Sequence, residues 1–252
     1  MSKAALKPMN GLPLFEGQAF MMTGSKNAES PDILKYQHDL KHRFSAQGAH
    51  ALSDQNVLEL LLFRALPKCN VTPVAERLLD AFGDLNGVLT SSSNALRNVR
   101  GVGAAVALDL KLIEATAHRM ARARILDQPV LSDWQALLDY CHTTMAHRNT
   151  EQARVLYLNS SNRLIEDEEQ GDGTVDHAPI YPREIMKRAL DLGATALILV
   201  HNHPTGDPTP SKSDIDMTHQ IEDAAQTLGI TLHDHLIIGK SRELSFRSEG
   251  LI

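Results

Sequence analysis

The sequence predicts an α/β fold, a mixed sheet flanked by helices, preceded by a small all-α domain. Three observations point there. Helix caps and stops follow one another through the first half, whereas helical and extended patterns alternate from residue 132 onward. The charge also changes along the chain: residues 32–124 hold 12 Lys and Arg against 9 Asp and Glu, and residues 125–252 hold 10 against 20. Gln128-Pro129 falls at that change, where a long helical pattern ends, and marks a linker over residues 125–131. The expected organisation is a flexible leader over residues 1–30, interrupted by Pro8, Gly11 and Pro13, then a helical domain over 32–124 and a sheet domain over 132–252.

With 252 residues, 42% of them hydrophobic, the chain can bury a sizeable core and is long enough for two modest domains. Its two cysteines, Cys69 and Cys141, lie far apart and match no zinc spacing. They read as reduced thiols without a functional role, which makes a cytoplasmic location the expectation. No apolar run reaches transmembrane length, so no membrane partner is expected.

In the helical domain, Ser53 offers an N-cap to a helix through Ala65. Thr72 and Pro73 supply a cap and a first-turn proline for a helix over Val74–Phe82, which Gly83 stops. Val99-Arg100-Gly101-Val102-Gly103-Ala104 then leads into a helix running to about Arg122. Its hydrophobic-x-Gly-hydrophobic-Gly pattern is that of a helix-hairpin-helix. There Gly101 and Gly103 would let backbone N–H groups reach a phosphate at a helix N-terminus. Arg97 and Arg100 are candidates for sequence-independent contacts to DNA. A short Gly-x-Gly also serves as a plain tight connection, and the basic surplus is small for a nucleic-acid binder.

In the sheet domain, Ser132-Asp133 starts a helix through about His147. Gln152–Asn159 alternates apolar and polar residues as a strand, and Ser160-Ser161-Asn162 turns into a second one. Pro182 begins a helix that Gly193 ends. Ala194–Val200 is a continuous apolar run, read as a strand buried on both faces. Ser211–Leu228 is helical with Gly229 as its stop, Ile230–Ile238 returns as a strand, and Leu244–Phe246 closes the chain as a hairpin strand.

The chemistry concentrates where the buried strand ends, at His201-Asn202-His203-Pro204. Side chains at i and i+2 of a strand project to the same side, so both histidines can hold one metal ion. Pro204, Gly206, Pro208 and Pro210 make a stiff loop that Ser211 ends by capping the next helix, and Asp214 brings a carboxylate as third ligand. Two histidines and one carboxylate leave a tetrahedral zinc one open position, which points to catalysis. Manganese, iron and nickel accept the same ligands. Taken alone, Ser211-x-x-Asp214 is also the pattern of a helix capping box. A second His-x-His, His233-Asp234-His235, lacks the proline loop and the serine-aspartate pair; His235 is read as core or a support to the ligands, and His233 as exposed.

The spacing His-x-His, seven residues, Ser-x-x-Asp resembles the JAMM motif of the MPN metalloproteases. The wording from His201 through Ser211 is similar to its bacterial branch, the RadC family. Val155–Asn159, Asn162–Ile165, Ala178–Glu184 and Asp234–Gly239 also read like RadC sequence, so the resemblance covers roughly residues 32–252. It implies an MPN/JAMM, cytidine-deaminase-like fold, zinc as cofactor, and hydrolysis of peptide or isopeptide bonds in an unidentified peptide or protein substrate. JAMM enzymes carry their general base on a glutamate ahead of the domain's first strand, a place taken here by Glu151, with Glu166, Glu168 and Glu169 as rivals in a charged turn. Ser211 is then expected to hydrogen-bond the developing oxyanion besides capping its helix. Residues 99–104 are similar to the helix-hairpin-helix of RadC proteins, which implies non-specific association with DNA. The expected function is that of a zinc metallohydrolase. Two alternatives stand beside it: a DNA-binding repair or recombination accessory protein with a non-catalytic metal site, and a metal-dependent nuclease.

Overall fold

The computed structural model describes residues 31–126, 128–172 and 180–252; the expected leader and part of the segment before Pro182 lie outside them. Among the described residues six α-helices come first: α1 (Pro31–Gln47), α2 (Asp54–Ala65), α3 (Thr72–Phe82), α4 (Leu85–Thr90), α5 (Ser93–Asn98) and α6 (Ala104–Leu126). Ser53 caps α2 by accepting from the Asn56 N–H. Thr72, expected as the cap of α3, is instead its first residue, and its N–H is satisfied by Asn70 Oδ1 at 3.2 Å. Helix α6 runs four residues beyond the expected end. Leu40, Leu58, Leu62, Leu78, Val106 and Leu110 bring these helices around one core.

The second half contains α7 (Trp134–Met145), β1 (Gln152–Leu158), β2 (Leu164–Asp172), α8 (Pro182–Leu192), β3 (Ala196–Asn202), α9 (Lys212–Thr227), β4 (Thr231–Ile238) and β5 (Glu243–Ser245). Among the described residues these five strands form one mixed sheet in the order β2-β1-β3-β4-β5. Only the β3–β4 pair is parallel, with α9 as its crossover. Helix α7 covers one face through Leu156, Ile198, Val200, Leu236 and Ile238. Helices α8 and α9 cover the other through Val155, Tyr157, Leu197, Leu199 and Leu232. β3 is central and buried along its whole length, as its apolar run predicts. β1, expected to alternate, is also buried on both faces, since it too lies inside the sheet. Its polar member Arg154 is accommodated by an ion pair of 2.9 Å to Asp167.

One irregularity decides what faces the site. Between β3 and β4 the register steps from Leu197↔Leu232 to Ile198↔Asp234, leaving His233 as an extra residue. The step reverses the faces of the remainder of β4. His235 therefore stands opposite Leu199 on the α9 side, while His233 turns to bond Asn162 Oδ1 at 2.7 Å and is half-buried rather than exposed.

Candidate metal centre

β3 carries His201 at its end, His203 follows one residue beyond it, and the first turn of α9 carries Asp214. One ligand atom from each lies within 4.8 Å of the others. His201 Nε2 is 3.0 Å from His203 Nε2, 3.7 Å from Asp214 Oδ1, and His203 Nε2 is 3.8 Å from Asp214 Oδ2. Ligands about 2 Å from a tetrahedral zinc stand roughly 3.3 Å apart, so the three separations bracket that geometry.

The hydrogen bonds behind the ligands fix where their protons are. Thr218 Oγ1 donates to the Asp214 carbonyl at 2.5 Å, so toward His235 Nδ1, 2.6 Å away, it can only accept. His235 Nδ1 thus carries the proton. Burial, helped by the nearby His201 and His203, holds His235 well below the usual histidine range, so the ring is neutral and its Nε2 is an acceptor. His201 Nδ1, 2.8 Å from that nitrogen, is the donor. On the other side, His203 Nδ1 lies 2.7 Å from the Asp207 carbonyl oxygen and must also carry its proton. Burial pushes the His201 ring down to about 4, against the pull of Asp214, so it is neutral near pH 7. His201 Nε2 consequently presents a lone pair, which converges with His203 Nε2 and the Asp214 carboxylate on one point. Such a donor set calls for a cation.

Ser211 and Asp214 form the capping box. Asp214 Oδ2 accepts from Ser211 N–H at 2.7 Å and from Ser211 Oγ at 2.6 Å, and Ser211 Oγ accepts from the Asp214 N–H at 3.2 Å. These bonds orient the carboxylate with Oδ1 toward His201. Capping and ligand orientation are here one arrangement, and the serine hydroxyl would have to turn from Asp214 to meet an oxyanion. The loop before it is braced by Gly206, which lies against Lys240 of the β4–β5 turn. A side chain on Gly239 of that turn would meet the Gly206 carbonyl oxygen at 2.4 Å.

Glu151 stands just before β1 and is half-buried. Ala153 pairs directly with His201 across β1 and β3, and strand alternation carried two residues back would put Glu151 on the face of the histidines. Its rivals lie on β2 rather than in a turn and are engaged by arginines: Glu166 by Arg122 at 3.2 Å, Glu168 by Arg188 at 2.5 Å, and Glu169 by Arg154 at 3.8 Å.

Arg97, Arg100, Gly101 and Gly103 belong to the α5–α6 hairpin and take no part in the metal cluster. Gly101 has φ 97° and packs on α3, with Arg77 donating to the Arg100 carbonyl at 3.0 Å. Arg97, Arg100, Gly103 and Ala104 are exposed around the start of α6. Thr218 escaped the sequence reading, although its i+4 spacing from Asp214 on α9 is a signal for a shared face. Both cysteines are free, and burial pushes the Cys141 thiol far above its ordinary range, which keeps it unreactive.

A mixed sheet carrying a His-x-His and a helix-start aspartate at its strand ends defines a JAB-type domain, a class with a metal-binding site, here preceded by a helical region. The comparisons agree: residues 131–251 match the RadC-like JAB domain family and residues 37–108 the UPF0758 N-terminal family. The UPF0758 protein SPO0054 of Ruegeria pomeroyi is 63% identical over 220 residues, covering 87% of this chain and 98% of that protein. A UPF0758 protein of Rhodobacter capsulatus is 63% identical over 213 residues, covering 84% of this chain and all of its own length. The chain belongs to this family of RadC-like UPF0758 proteins. Among the described residues, no helix is long and apolar enough to cross a membrane.

Proposed function

We propose that this protein is a zinc-dependent metallohydrolase that cleaves peptide or isopeptide bonds. The observation that carries the reading is the convergence of two imidazole Nε2 atoms and one carboxylate on a single point, each ligand held by hydrogen bonds behind it. His201, His203 and Asp214 would hold the ion. When bound, a divalent ion there supplies Lewis acidity, polarising a carbonyl and making water nucleophilic near neutral pH. Glu151 would take the proton as water oxygen bonds to the carbonyl carbon, and return it to the amine nitrogen as the C–N bond breaks. Ser211 would donate to the oxyanion once substrate displaces its bond to Asp214. Reduced thiols at Cys69 and Cys141 suit work in the cytoplasm.

Mass spectrometry of protein purified without added metal should find near-stoichiometric zinc, lost in His201→Ala and Asp214→Ala. Manganese, iron or nickel instead would correct the cofactor. Glu151→Gln should keep the metal and lose roughly 10²- to 10⁴-fold in turnover of peptide or isopeptide substrates. An unchanged phenotype in metal-loaded Glu151→Gln would leave the site a non-catalytic role. DNA cleavage abolished by His203→Ala would make the protein a nuclease.

For the helical region we propose non-specific contact with DNA phosphates. Arg97 and Arg100 are exposed in the hairpin before α6, Arg77 donates to the Arg100 carbonyl, and Gly103 at the helix start leaves room for close backbone approach. Duplex binding should weaken as salt rises, and Arg97→Ala with Arg100→Ala should flatten that dependence. No binding at low salt would remove the DNA role.

A further inference from the structure

Asn202 lies between the two histidines and is completely buried, at 0% exposure. It is on β3, but on the opposite face from His201, so it cannot share their metal. A buried amide with no partner would destabilise the strand end, and here both polar atoms are bonded. Its Oδ1 accepts from the Gln152 N–H at 2.9 Å, and its Nδ2 donates to the Thr150 carbonyl at 3.1 Å. The two bonds together fix the amide's orientation.

Those two partners flank Glu151. The backbone ladder between β1 and β3 ends at Ala153↔His201, and beyond it His203 bonds instead toward β4, its N–H reaching the Ile238 carbonyl at 3.0 Å. The strands part at the place where Glu151 enters. The Asn202 side chain bridges that gap as a substitute peptide group, offering one donor and one acceptor where the next rung would have been.

We propose that Asn202 is a positioning residue that holds residues 150–152 so that the Glu151 carboxylate stands at the open side of the metal centre. Its importance to turnover rests on the reading of Glu151 as the base; the clamp itself does not. It explains why the residue between two ligands, pointing away from them, is an asparagine: Val or Leu would fill the space and Ala would leave it empty, and each would leave two backbone groups without this partner.

The test uses the full chain. In wild type, NMR hydrogen exchange should find the Gln152 amide and the Asn202 side-chain NH₂ slow to exchange; unprotected rates at either would overturn the clamp without any variant needing to fold. In Asn202→Ala, Gln152 exchange should rise at least tenfold while cobalt(II) loads to the same stoichiometry, since all three ligands remain. The cobalt visible spectrum should then match that of Glu151→Gln rather than wild type. Wild-type exchange at Gln152 together with a wild-type cobalt spectrum in Asn202→Ala would sink the proposal. If Glu151→Gln itself has the wild-type spectrum and wild-type peptide turnover, the reading of Glu151 fails, and exchange at Gln152 then judges the clamp alone.

Discussion

His235 shows how a residue that touches no metal can govern one that does. It is buried, neutral, and joined to His201 on one ring nitrogen and to Thr218 on the other, and Thr218 in turn holds the backbone of Asp214. One chain of hydrogen bonds thus links two of the three ligands and sets the tautomer of His201. His235→Leu would leave the His201 Nδ1–H unpaired in the core, and Thr218→Val would break the chain with little change of shape. Each should weaken zinc binding about 10- to 100-fold, read by competition with a chromophoric chelator. Wild-type affinity in both would mean that the chain is packing only. The ligands themselves were legible because they sit within fourteen residues of one another, on a strand end, a loop and a helix start that all carry local signals. The chain behind them was not. It depends on a one-residue register step at His233, and a step between strands leaves no trace in the alternation of a single strand.

At the scale of elements, the start of α9 serves the fold and the site with the same atoms. Ser211 satisfies the Asp214 N–H as a cap and holds the Asp214 carboxylate as a support, so its loss should be felt twice. Ser211→Ala should destabilise metal-free protein by about 1 kcal/mol, measured by urea unfolding, whereas Ser211→Thr keeps the oxygen and most of the stability. A catalytic share for the hydroxyl would appear as a fall in turnover in excess of any loss of bound metal. Helix boundaries with strong punctuation were readable, as at Ser53 and Gly193, because the cap or stop is a property of a few adjacent residues. The two faces of β1 were not: whether a strand is central or at an edge is set by its neighbours, and Arg154 reads as solvent-facing until Asp167 is seen beside it.

Across the whole molecule, α6 belongs to both halves. Val106, Ala107 and Leu110 pack in the helical core, while Ile125, 1% exposed, packs in the core beneath α7. The connection that follows is short and anchored, with Val130 buried and its N–H bonded to the Asn162 carbonyl at 2.8 Å. Surface ion pairs such as Arg124–Asp139 add little, so the halves are joined mainly by burial. Ile125→Ala should lower stability by roughly 2–5 kcal/mol, and wild type should unfold in a single transition; two resolved transitions would show that the halves are energetically separate. His118 lies on the same helix, at a cavity of about 330 Å³ between the halves. Burial holds it below the usual histidine range, Arg148 and Lys111 add to the depression, and Glu114 opposes it. The fold therefore prefers the neutral ring. As pH falls below about 6.5 the unfolded chain takes up this proton before the folded one does, so stability drops with falling pH until folded His118 also titrates. His147, lining the same cavity, is shifted in the same direction by burial. The urea midpoint of metal-free protein should accordingly be lower at pH 5.5 than at pH 7.5, and His118→Gln should shrink that difference. A difference of the same size in His118→Gln would show that other histidines carry the pH response.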